Sequence, residues 1–173
     1  TLELEKVVNH MELNILAIGD ICGTHAVTYL SKILREVKRE HQIHFVVANG
    51  ENADGLGILP RQAEEIFQAG VDVITLGNHT YNKRQIVPML EENRYVLRPA
   101  NYGDHPGRGY GVFDGPTGLR IGVMNLIGRC ELSFHADNPL RKAEEIIAKN
   151  PADFWLIDFH AEATSEKAAL AYY

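Results

Sequence analysis

From residue 13 onward the chain repeats one unit: a short apolar run, a glycine-bearing turn, then apolar residues at helical spacing. Residues 13–18 stop at Gly19, residues 45–48 at Asn49-Gly50 and residues 71–76 at Gly77. Apolar runs this short, closed by turn residues, mark buried strands. The segments between them read as amphipathic helices. Val27, Leu30, Leu34 and Val37 form one stripe, with Lys32, Arg35, Lys38 and Arg39 outside and Thr24 placed to cap it. Pro60 opens the next helix, with Ala63, Ile66 and Phe67 inward and Gly70 at its end. A third helix is expected over 84–92. Alternating strand and helix requires crossover connections, so the chain is of the α/β class, with a mostly parallel sheet covered by helices.

The texture changes after Tyr95. Residues 103–118 are rich in Gly and Pro, and 110–113 with 119–126 read as two strands around the Gly115-Pro116-Thr117-Gly118 turn. Asn138 caps a helix with Leu140, Ala143, Ile146 and Ile147 inward; a strand over 154–159 and a helix over 165–173 follow. No repeat or linker divides the 173 residues, so one domain is expected over 11–173, with residues 1–10 a leader or an appended remnant ahead of Met11. No apolar stretch is long enough for a membrane span, and no signal peptide is evident. Cys22 and Cys130 are far apart and stand in no metal or redox spacing, which fits a reducing compartment and no disulfide framework.

The net charge is −6. Nothing in the chain forms the basic stripe that tracks a double-stranded nucleic acid. An anionic substrate would therefore have to be drawn in by something other than net side-chain charge, such as a metal ion.

In open α/β sheets ligands bind beyond the carboxyl ends of the strands. The residues that follow the expected strands are Gly19-Asp20-Ile21-Cys22-Gly23, Gly50-Glu51-Asn52, Gly77-Asn78-His79-Thr80 and His160-Ala161-Glu162. Each alone has a plain structural explanation: Asp20 as a helix cap, Asn78-His79 as a turn, His160 as a core histidine. Together they place carboxylates, amides and imidazoles on one rim. Such ligands suit Mn, Fe or Zn, and two cations about 3.5–4 Å apart would clamp a phosphoryl group. His41 and His44 read as surface residues. Arg98 and Arg129, in loops, are weaker candidates for reaching a phosphate.

These motifs, with the string Asp158-Phe159-His160-Ala161-Glu162-Ala163-Thr164-Ser165-Glu166-Lys167, resemble the calcineurin-like metallophosphoesterases. More narrowly they resemble the bacterial YmdB-like 2′,3′-cyclic-nucleotide 2′-phosphodiesterase family. The resemblance implies a four-layer α/β/β/α sandwich and two transition metals, iron or manganese first and zinc as the alternative. It implies that Asp20, Glu51, Asn52, Asn78 and His160 are metal ligands, with Glu51 bridging. His79 would be the proton donor, a metal-activated hydroxide the nucleophile and a cyclic nucleotide or similar small phosphodiester the substrate. Alternatives on the same scaffold are a phosphomonoesterase or 5′-nucleotidase, and a metal-binding regulatory module.

The family also carries a Gly-Thr-His-Thr-His segment and closing strands that this sequence lacks. The expectation is a C-terminally incomplete domain, the N-terminal two thirds, short of two histidine ligands. An open sheet edge would favour a homo-oligomer.

Overall fold

The apolar runs of the first half pair side by side in the computed structural model, which describes residues 12–132 and 135–173; the segment expected as a leader lies outside the described residues. Strands β1 (Ile15–Ile18), β2 (Phe45–Asn49), β3 (Val73–Thr75) and β4 (Val96–Leu97) form one parallel sheet in that order. Leu16 lies opposite Val46, Val47 opposite Val73 and Thr75 opposite Leu97. Every residue of β2 is buried, as expected for a parallel strand covered on both faces. The sequence pattern does not reveal β4, because two residues carry no periodicity.

Three helical segments make the crossovers: α1 (Gly23–Glu40), α2 (Pro60–Ala69) and α3 (Val87–Glu92), the last preceded by a 3₁₀ turn at Arg84–Ile86. Val27, Leu30 and Leu34 of α1 and Ala63 and Ile66 of α2 pack with Val46, Ala48 and Ile74. The helix after Pro60 ends where expected, at Gly70 with φ +115, a left-handed conformation that costs a residue with a Cβ more than glycine. Two expectations for α1 are corrected. Its N-cap is Cys22, and Thr24 lies inside the first turn. Lys38 is not on the solvated face: its Nζ donates to Gly70 O at 2.8 Å and lies 3.7 Å from Asp72 Oδ2, which ties α1 to the turn before β3.

The second half forms a separate sheet, β5 (Tyr110–Asp114), β6 (Arg120–Ile127) and β7 (Phe154–His160), with β6 central. The β5–β6 pair is an antiparallel hairpin, as the Gly-Pro turn predicts, with Phe113 opposite Ile121. The β6–β7 pair is parallel, with Ile127 opposite His160, and α4 (Pro139–Lys149) makes the crossover. Asn138 caps α4 as expected: its side chain accepts from Leu140 N and Arg141 N. Ile147, expected inward, is exposed, because Ala143 and Ile146 already define the packed face. The final helix, α5 (Thr164–Tyr172), buries no residue.

Alternate residues of the strands separate the apolar core. Phe45, Val47 and Val73 point away from the helices and pack with Phe113, Ile121 and Val123 of the second sheet. On the far face of that sheet Met124 and Leu126 meet Ala143 and Ile146 of α4. The architecture is thus mixed α/β with a parallel first sheet, as expected.

The two sheets are also joined by hydrogen bonds. Asn125 of β6 is fully buried, and its Nδ2 donates to Leu76 O at 2.6 Å and Leu97 O at 2.9 Å. Replacing Asn125 with Ala removes that donor from both carbonyls and leaves a small void. We expect a loss of about 1–3 kcal/mol, measured as a lower urea midpoint with an unchanged slope.

Candidate metal centre

Parallel strands deliver their following loops to the same end of the sheet. Asp20 follows β1, Glu51 and Asn52 follow β2, Asn78 and His79 follow β3, and His160 ends β7. Backbone bonds hold these loops against one another: Ile21 N donates to Asn49 O at 3.0 Å, Gly23 N to Asn52 O at 2.8 Å and Gly50 N to Thr75 O at 2.9 Å. The result is a cleft of about 370 Å³ lined by Asp20, Glu51, Asn52, Asn78, His79 and His160 together. All six residues singled out in the sequence meet there.

Glu51 is the most buried of them, at 2% exposure. Its Oε1 lies 2.8 Å from His160 Nδ1 and its Oε2 accepts from His79 N at 3.3 Å. The hydrogen bond to Glu51 raises the His160 pKa above the ordinary imidazole value; burial opposes this, and the charges of Glu51, Asp158 and Glu162 add to it. The room Glu51 occupies exists because residue 77 is glycine: a Cβ there would collide with the Glu51 carboxylate. Asp20 Oδ1 accepts from Asn52 Nδ2 at 3.0 Å. Its Oδ2 accepts from the Cys22 thiol at 3.4 Å, which pushes the thiol pKa up and makes Cys22 a poor nucleophile.

The Asp20 contact fixes which end of the Asn52 amide is nitrogen. Asn52 Oδ1 is left buried without a hydrogen-bond partner. An orphaned amide oxygen beside two carboxylates and an imidazole suits a cation of the Mn, Fe or Zn kind. The donor chemistry therefore fits the implied metals, with amide oxygens needed to complete it. Among the described residues, no three His, Cys, Asp or Glu side chains converge closely enough to hold an ion by themselves. The arrangement is instead two pairs, Glu51 with His160 and Asp20 with Asn52.

The His79 ring has Asn82 Nδ2 2.9 Å from its Nδ1 and Asn78 Nδ2 3.4 Å from its Nε2. A neutral imidazole accepts at only one nitrogen. The shorter contact, from Asn82, fixes the orientation of the ring.

Several residues at the site carried no assigned role in the sequence. Asp158 Oδ2 accepts from Thr75 Oγ1 and, at 3.2 Å, from Asn49 Nδ2, so a carboxylate of β7 is anchored on β2 and β3. Its position two residues before His160 on a strand was the available signal, since i and i+2 share a face. Lys167 also lines the cleft. Glu166 accepts from Arg129 N at 2.9 Å and Cys130 N at 3.2 Å, pinning the loop after β6 to α5. Arg98, considered for phosphate contact here, lies outside this cleft; its guanidinium binds the carbonyls of Pro99, Gly103 and His105.

Residues 16–173 match the model of the YmdB-like protein family. The chain belongs to that family. Over 165 residues it is 38% identical to the 2′,3′-cyclic-nucleotide 2′-phosphodiesterase of Bacillus subtilis, a match covering 93% of this chain and 62% of that protein. Among solved structures, a hypothetical protein from Thermus thermophilus superposes with a TM-score of 0.85 at 33% identity, covering 91% of this chain and 62% of that one. A phosphatase from Mycoplasma pneumoniae superposes with a TM-score of 0.84 at 30% identity, covering 92% and 59%. The chain spans less than two thirds of the length of each of these YmdB-like or structurally similar proteins.

Two outcomes are expected. In metal-free protein, Glu51→Gln lowers the His160 pKa, read by NMR titration of the imidazole. The sign follows from the shift: a raised histidine stabilises the fold below its unfolded pKa, and that stabilisation is lost as pH rises through the folded value. Glu51→Gln therefore weakens the metal-free fold most on the acidic side. Gly77→Ala forces Glu51 to move and costs about 1–3 kcal/mol as an overpacked site, measured by denaturant unfolding.

Proposed function

We propose that the protein is a metal-dependent phosphodiesterase of small phosphodiesters, with 2′,3′-cyclic nucleotides as the leading substrates. The observation that carries this is the meeting of Asp20, Glu51, Asn52, Asn78 and His160 in one cleft, with the His79 ring at its side. The three stacked cores support the four-layer α/β/β/α sandwich of the metallophosphoesterases as its framework. The name of the Bacillus subtilis relative supports the substrate class.

In this proposal Asp20, Glu51, Asn52, Asn78 and His160 hold the metals, with iron or manganese favoured and zinc as the alternative. Two such cations would neutralise phosphoryl oxygens and lower the pKa of water. The chain's own groups do the rest. Buried Glu51 gives the cleft a fixed negative charge that retains cations in a molecule of net charge −6. Asn82, 2.9 Å from Nδ1, orients the His79 ring at the side of the cleft. Water adds to phosphorus and releases a proton to solvent, the bond to the 2′ oxygen breaks, and the imidazolium form of His79 gives that oxygen a proton before recovering one from solvent. The product is a 3′-nucleotide. Lys167 at the cleft's edge offers a cation to the incoming phosphate. Two exposed free cysteines, Cys22 and Cys130, support a cytoplasmic setting.

A second reading, a phosphomonoesterase, is favoured by the structural neighbour described as a phosphatase. The test is a substrate panel on metal-loaded protein. Formation of 3′-AMP from 2′,3′-cyclic AMP, without release of inorganic phosphate, is the expected result. Inorganic phosphate released from 3′-AMP while the cyclic compound survives would select the monoesterase. His79→Ala is expected to lower turnover about 10²–10⁴-fold while metal content by elemental analysis is unchanged. Loss of metal in parallel with activity would remove His79 from the role of proton donor.

A further inference from the structure

A second cleft, of about 680 Å³, opens between α4 and the segment joining β4 to β5. Five cations line it, Arg94, Arg98, Arg108, Lys142 and Lys149, against one carboxylate, Glu145. In a chain of net charge −6 this is a pronounced local reversal of sign. It shares no lining residue with the candidate metal centre.

The cations differ in how they are held. Arg98 is 8% exposed. Its Nη1 donates to Pro99 O at 2.7 Å, and its Nη2 to His105 O at 3.0 Å and Gly103 O at 3.2 Å. These carbonyls fix the guanidinium but carry no counter-charge, and Nε has no acceptor. Among the described residues Arg98 forms no salt bridge. A buried cation without a counter-ion is costly, and an anion in the cleft it lines would offset that cost. Arg108 is exposed, and its side chain has no hydrogen bond or ion pair among the described residues. Its backbone is nonetheless pinned, since its carbonyl accepts from Arg98 N at 2.9 Å. Arg94 is braced by Val112 O at 2.7 Å and by the rings of Tyr95 and Phe113. Across the cleft Lys142 and Lys149 share Glu145, at 3.4 and 2.8 Å.

We propose that this cleft binds a small, multiply charged phosphate ligand. Guanidinium groups present paired donors that match phosphate oxygens; Arg108 can offer such a pair, while Arg98, its terminal nitrogens held by carbonyls, supplies positive charge and its unpaired Nε–H. The volume falls within the range of small-molecule sites, about 300–1,000 Å³, rather than that of a long polymer groove. Because the two clefts share no residue, the site stands whether or not the phosphodiesterase proposal does.

The probe is inorganic pyrophosphate, titrated calorimetrically into the full chain at low salt. Wild-type protein is expected to bind it, and the double variant Arg108→Gln/Lys149→Gln about tenfold or more weakly. Both side chains are exposed and neither belongs to the catalytic machinery. Arg108→Lys alone keeps the charge and is expected to lose less than Arg108→Gln alone. Asn78→Ala alters the metal centre and is expected to leave this binding event unchanged, which separates it from pyrophosphate held there. Equal affinity in wild type and double variant, or binding lost with Asn78→Ala, would overturn the proposal. So would binding of an oligoribonucleotide by a protein that ignores pyrophosphate.

Discussion

The buried carboxylate of Glu51 is the feature around which the molecule is arranged. A charge at 2% exposure is unfavourable unless polar groups surround it. It sits at the end of β2 because a parallel strand must turn there, and it fits because residue 77 has no side chain. Its two visible partners come from different sheets, His79 N from the loop after β3 and His160 from β7. The carboxylate therefore links the sheets as well as defining the cleft.

That link belongs to a polar seam above an apolar layer. Lower down, Phe45, Val47 and Val73 meet Phe113, Ile121 and Val123 without hydrogen bonds between side chains. Near the carboxyl ends the contact becomes polar. Asn125 reaches the carbonyls of Leu76 and Leu97, while Asn49 and Thr75 reach Asp158. Hydrogen bonds are directional where apolar contacts are not, so the seam fixes the relative register of the sheets. A site assembled from both sheets needs that register, since His160 and Glu51 must meet within 2.8 Å.

Charge is segregated in the same molecule. The candidate metal centre gathers carboxylates and leaves an amide oxygen bare, which favours cations. The cleft beside α4 gathers guanidinium and ammonium groups, and buries one guanidinium without a counter-charge. The two lie on opposite sides of β6 in the sheet order, one by β7 and the other by β5. Net charge alone, at −6, conceals both.

The alternating strands and helices were legible in the order of residues, because apolar periodicity and turn residues are local properties. So were the six residues of the rim, since parallel topology sends every such loop to one end of a sheet. Element ends were less legible: the cap of α1 moved from Thr24 to Cys22, and β4 was too short to show a pattern. Lys38 and Arg98 looked like solvent or ligand residues because composition cannot say which carbonyls lie nearby. Packing in three dimensions was needed to show that Glu51 pairs with His160, that Asp158 is anchored on the opposite sheet, and that five scattered cations converge on one cleft. Glu51 and His160 stand 109 positions apart, and the arginines at 94–108 lie tens of positions from the lysines of α4; their meeting depends on how two sheets and α4 pack, which no local pattern encodes.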